Sequence, residues 1–115
     1  YFKLGLLYYS DKNYQEAINT FNQAIKLDEK YANAKYYLGL SHANVGNNQD
    51  AIKQFEDLTI SNPDNQEVKL ILENLKSGRN PFSNAKPPID SKPEKRKSLP
   101  IKEKVENVVT PTVNP

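Results

Sequence analysis

The feature that most restricts this chain is that it repeats itself. A displacement of 34 residues carries Leu4-Gly5-Leu6 onto Leu38-Gly39-Leu40, Ala17-Ile18 onto Ala51-Ile52, Phe21 onto Phe55 and Asp28 onto Asn62. Tyr8 falls on His42 and Tyr14 on Asn48, which keep the register without the residue type. Matches at one offset, all at small or core-type positions, define a supersecondary unit. Such a unit cannot bury its apolar face alone and stacks on its neighbours.

Within each unit the apolar spacing is helical. Tyr14, Ile18, Phe21, Ile25 and Leu27 recur every three to four residues with Asn19, Asn22 and Lys26 between them. Ala17 and Ala24 on the same side let a neighbouring helix approach. The polar stretch Asp11-Lys12-Asn13 supplies a stop and an N-cap. In the second unit Tyr37, Leu38, Ser41 and Val45 mark one helix, and Ala51, Ile52, Phe55 and Leu58 the next. Gly46-Asn47-Asn48 makes the turn between them, since Gly and Asn accept the left-handed conformation that ends helices. Asn62-Pro63-Asp64-Asn65 ends the second helix of this pair. Connections this short make consecutive helices antiparallel neighbours.

A fifth helix, over residues 66–77, is predicted after Asn65, with Glu67 in its first turn and Val68, Ile71, Leu72 and Leu75 as its apolar stripe. Lys69, Glu73, Asn74 and Lys76 are expected on its outer side, with Gly78 as C-cap and Pro81 preventing continuation. One apolar and one polar face suit a cap that closes a solenoid.

From Gly78 the chain changes character. Residues 1–77 carry 8 Lys and no Arg against 10 Asp plus Glu, a charge of −2. Residues 78–115 carry 8 Lys plus Arg against 4 acids, a charge of +4, and hold seven of the eight prolines. Such a segment has too little apolar area to offset its conformational entropy, so 78–115 is expected to be a disordered Pro/Lys-rich tail after an array over 1–77. Its basic cluster, Lys92 to Lys97, reads as a solvated linker, and with no basic stripe on the array nucleic acid is not an expected partner. Ile101, Val105, Val108 and Val109 share one face of a short helix bracketed by Pro100 and Pro111, too short to hold alone.

Catalytic and metal chemistry find no support. The chain has no cysteine and a single histidine, His42, at the packing position that Tyr8 holds one unit earlier. Asp28-Glu29 and Glu56-Asp57 are adjacent acids, which diverge by about 100° on a helix and form no dyad. Gly5, Gly39 and Gly46 are explained by packing and a turn rather than by a phosphate loop. Tyr8, Tyr9, Tyr36 and Tyr37 at helical spacing read as packing and groove residues. No apolar run is long enough to span a bilayer. With no methionine at the start and a helix already under way there, the chain is expected to be a piece of a longer protein. The default compartment is the cytoplasm, with a membrane-associated parent as the alternative.

These residues resemble the tetratricopeptide repeat (TPR) family, whose unit has an aromatic, Leu-Gly and Tyr on its first helix, Ala, an aromatic and Ala on its second, and a closing Pro. The second unit shows Leu38-Gly39, His42 in the Tyr place, Gly46, Ala51, Phe55, Leu58 in the second Ala place, and Pro63. The first shows Tyr1, Leu4-Gly5, Tyr8, Tyr14, Ala17, Phe21 and Ala24, with Glu29 in the Pro place. The resemblance implies an all-α, right-handed solenoid of antiparallel helix pairs, five helices here. It also implies a non-enzymatic scaffold, without cofactor or metal, that binds a partner's peptide or helix in a concave groove. Carried over by position, the groove comprises Phe2, Lys3, Leu6, Tyr9 and Ser10 from the first unit, and Asn33, Tyr36, Tyr37, Leu40 and Asn44 from the second. Only Lys3, Asn33 and Asn44 could help hold a C-terminal carboxylate, so an apolar or amphipathic peptide is the expected ligand. The alternative is a structural appendage without a ligand. The Asn-Pro-Asp-Asn cap, Gly-Arg-x-Pro and Pro-Pro-Ile stretch resembles C-termini of some bacterial multi-pass membrane proteins, including O-antigen-ligase-like ones.

Overall fold

The computed structural model describes residues 1–86 and 93–104. Five helices follow one another: α1 (Phe2–Ser10), α2 (Tyr14–Leu27), α3 (Ala32–Asn44), α4 (Asn48–Ser61) and α5 (Gln66–Lys76). Each packs on the next, and α1 also touches α3, so the first helices of the two pairs are neighbours. Among the described residues there is no strand, and no helix is long and apolar enough to cross a membrane.

The turns obey the repeat. At the ends of α1, α3 and α5 a residue with positive φ, Lys12 (61°), Gly46 (86°) or Gly78 (75°), reverses the chain. In each case the next N–H returns to a carbonyl of the last turn. Asn13 donates to Tyr8 at 2.8 Å, Asn47 to His42 at 2.9 Å and Arg79 to Asn74 at 2.8 Å. This Schellman arrangement satisfies carbonyls that a helix end would otherwise leave bare. The other two turns match each other too. Asp28 and Asn62 leave the helix with φ of −145° and −134°, and their carbonyls accept from Tyr31 and Asn65, both at 3.0 Å. Asn65 then caps α5, its side chain accepting from the Val68 N–H at 3.0 Å. Asn13 takes the N-cap place of α2 without a side-chain bond.

Glycine sets the spacing inside each pair. A Cβ on Gly5 would lie 2.5 Å from the Phe21 ring, and one on Gly39 2.5 Å from the Phe55 ring. Both rings are fully buried, as are Ala17, Ala51 and Leu58, and burying such a Phe is worth roughly 1.5–3 kcal/mol. Tyr37 joins the pairs, its ring centre lying 5.5 Å from Tyr9, 6.0 Å from Phe21 and 5.1 Å from Tyr36.

Three expectations need correction. Leu27, counted in the α2 stripe, is 75% exposed at the helix end. Val45 is the C-cap of α3, not part of its apolar row, and is half-exposed. Asn74, expected on the outer side of α5, is fully buried, for reasons that lie in the tail.

Candidate functional site

The described tail has no α-helix or strand, only a 3-10 turn at Pro93–Lys95. It is nonetheless anchored on the array. Asn74 Nδ2 donates to the carbonyls of Pro81 and Ser83 at 2.9 and 2.8 Å, and its Oδ1 accepts from Arg79 Nε at 3.1 Å. These bonds hold Phe82 over the α3 end, where Tyr9, Tyr14, Leu40, Phe82 and Pro93 line a cavity of about 200 Å³.

Residues 93–104 then run along α3 in the direction opposite to it. Tyr37 Oη donates to the Pro93 carbonyl at 3.2 Å. Arg96 Nη1 donates to both carboxylate oxygens of Glu67, at 3.0 and 2.7 Å. Asn65 Nδ2 donates to the Pro100 carbonyl at 3.2 Å. One turn before Tyr37 on α3, Asn33 makes two bonds to the backbone of Ile101. Its Nδ2 donates to the carbonyl at 2.7 Å and its Oδ1 accepts from the N–H at 3.0 Å. The Glu103 carboxylate caps α3, accepting from the Ala32 and Asn33 N–H groups at 3.0 and 2.9 Å and from Asn33 Nδ2 at 2.6 Å. Lys104 Nζ donates to the Ser61 carbonyl. The expected helical face through Ile101 therefore begins as irregular chain, and Val105, Val108 and Val109 lie outside the described residues.

Polar groups under this segment are few and all engaged. Glu67 is 8% exposed and also accepts from Tyr36 Oη. Burial first, and the adjacent Glu67 carboxylate second, push the Tyr36 phenol above its ordinary pKa, so it stays a donor. Burial opposes the Arg96 charge, but its bonds to Glu67 more than offset this and raise its pKa. Tyr31 at the α3 N-terminus is raised by burial and by the Glu103 and Asp28 charges.

Of the residues expected in the groove, Asn33, Tyr36, Tyr37 and Tyr9 do converge under or beside the tail. Tyr36, Tyr37 and Leu40 are at most 1% exposed, so they belong to the core as much as to the groove. Phe2 meets Tyr31 in a tilted ring pair with centres 5.0 Å apart, and Phe2 and Leu6 are both half-buried against the core. Lys3, Ser10 and Asn44 are exposed, and Asn44 Nδ2 donates to the Leu40 carbonyl of its own helix.

Three side chains that hold the tail, Asn65, Glu67 and Asn74, were absent from that expectation. The 34-residue offset finds the last two: Asn33 advances onto Glu67, and Leu6 and Leu40 advance onto Asn74. Treating α5 purely as an end cap hid this. In position it is a third first-helix, and its groove residues do what those of α3 do.

Among the described residues no three His, Cys, Asp or Glu side chains gather into a metal site. Stacked helix pairs with an extended segment laid across their first helices make this a helical-repeat scaffold. The family model described as Tetratricopeptide repeat matches residues 2–66, more than half of the chain, and the protein belongs to that family. No curated protein and no solved structure matches the chain. Repeats of this family are typically non-catalytic and mediate protein–protein interaction.

Proposed function

We propose that this protein is an interaction scaffold whose first-helix face holds an extended segment of a partner protein. The observation that carries this reading is the pairing of Asn33 with both the N–H and the carbonyl of Ile101. A side-chain amide that pairs with both main-chain groups of one residue grips main chain of any sequence, and neighbouring pockets add selectivity. The experiment is affinity capture with the full chain carrying Ile101→Asp, which loosens the resident segment, compared with the same chain also carrying Asn33→Ala. Partners should be lost from the second bait while its helical circular dichroism is kept. Retention of the same partners would sink the reading.

A second reading, a structural segment of a larger array, is favoured by the apolar row Tyr1, Leu4, Leu7 and Leu27, which is 45–75% exposed. Burying such a row takes another helix pair. Thermal unfolding of this chain against an N-terminally extended one tests it, and equal midpoints would count against it. The upstream coding sequence decides whether that larger protein is of the multi-pass membrane type.

A further inference from the structure

We infer that the first-helix face reads a linear code in its partner: a guanidinium, an aliphatic side chain five positions later, and a Glu carboxylate two positions beyond. This rests on the interaction reading above and deepens it, because the chain's own segment from Arg96 to Glu103 displays that code while occupying the face.

The contrast between residues that are read and residues that are not defines the code. Ile101 is 3% exposed, and Arg96 and Glu103 are partly covered, whereas Lys97, Ser98, Leu99 and Lys102 all face solvent. Each covered residue meets a different chemistry. Arg96 enters a low-dielectric spot where the Glu67 carboxylate, already bonded by Tyr36, takes its Nη1 on both oxygens. A planar, weakly hydrated guanidinium suits that site better than a strongly hydrated ammonium. Ile101 fills an apolar place while Asn33 holds its backbone. Glu103 supplies the anion that two free N–H groups at the start of a 13-residue helix call for, at the positive end of its dipole. Pro100 fits the register because its carbonyl is used, by Asn65, and it has no N–H to satisfy.

The spacing follows from the fold. Glu67 stands on α5 and Asn33 on α3, at positions one repeat apart. A ligand must therefore span adjacent repeats to meet both, and the six residues from Arg96 to Ile101 provide that span. A partner carrying the same three groups at the same spacing binds by displacing the resident segment.

The test uses a fluorescent peptide with the sequence of residues 93–104, titrated by anisotropy into the full chain. It should bind the Ile101→Asp chain about tenfold more tightly than the unaltered chain, whose face is filled. In the peptide, Arg96→Gln, Ile101→Ser and Glu103→Gln should each weaken binding about tenfold. Lys97→Ala and Lys102→Ala should change it less than about threefold. Should Ile101→Asp fail to fold by circular dichroism, Glu103→Gln in the full chain serves to loosen the segment instead. Equal binding of the code-bearing and code-stripped peptides, or undiminished binding to a chain with Asn33→Ala, overturns the code. Groove-dependent capture of partners alongside such indifference would overturn the code and leave the interaction reading standing. Discrimination among peptides without any groove-dependent partner would do the reverse. Doubling of the mass of the unaltered chain with rising concentration would place the occupant on a second copy and overturn a foreign partner.

Discussion

Helices α1 and α3 carry the same Leu-Gly-Leu core and meet different fates. Leu38 is 2% exposed and Leu40 1%, whereas of their counterparts Leu4 is 45% exposed and Leu6 only half-buried. The local sequence is equivalent, and so is the pairing with the following helix through Gly5–Phe21 and Gly39–Phe55. What differs is the number of neighbours. α3 has helices on either side, α1 and α2 before it and α4 after it, besides the tail. α1 meets α2, α3 and the tail's 3-10 turn, and has no preceding helix packed on it among the described residues. In a solenoid, then, a residue's contribution is set by what stacks on both sides of its repeat and not by its motif.

The sharpest way to break this comparison is to truncate equivalent leucines. Leu38→Ala should cost about 2–5 kcal/mol, and Leu4→Ala under about 1 kcal/mol since half of its side chain is already wet. Urea denaturation reads both, and equal losses would refute the neighbour argument. Next come the glycines. Gly39→Ala drives a methyl into the Phe55 ring and should destabilise by about 1–3 kcal/mol. Gly5→Ala meets Phe21 at the same distance but can relax into the open side of α1, so a smaller loss is expected by the same measurement.

The turns give a pair with opposite signs. Lys12 holds a positive φ that Gly46 holds one repeat later. Lys12→Gly should therefore stabilise by roughly 0.5–1 kcal/mol, and Gly46→Ala should destabilise by a similar amount. A stabilising Gly46→Ala would contradict the shared geometry. The smallest effect concerns Tyr8 and His42. Burial lowers the His42 pKa below its ordinary value, with Asp50 opposing. Between the lowered and the ordinary value the unfolded chain binds more protons than the folded one, so stability declines as pH falls through that window. His42→Tyr, which copies the first repeat, should remove that component. Urea midpoints at about pH 7.5 and about pH 5.5 compare the two proteins, and identical pH slopes would contradict the assignment.

Much of the fold was legible in the sequence because repetition, apolar spacing and the caps at Gly46, Asn65 and Gly78 agree with one another. The buried ends of the site were less so. Glu67 and Asn74 look like surface residues of an amphipathic helix, and only the repeat offset marks them as counterparts of Asn33 and Leu40. The seating of the tail left still less signal. Its composition carries almost no apolar area, and what holds it is one isoleucine, one ion pair, the Glu103 carboxylate at the start of α3 and bonds to main-chain atoms that every sequence possesses. Such contacts depend on a groove that only the folded array presents.

The resident segment also sets a threshold for any competitor. It follows the 79–86 turn, itself fastened by Asn74, after only a short stretch of chain. A tether of that kind offers its segment at an effective concentration on the order of millimolar. If the segment's own affinity is about 0.1 mM, it fills the face roughly nine-tenths of the time and raises a free ligand's apparent dissociation constant about tenfold. Weak, abundant sequences are screened out at that level, while a ligand that also gains from a second attachment passes. Lengthening the chain between residues 86 and 93 would tune the threshold without altering a single contact.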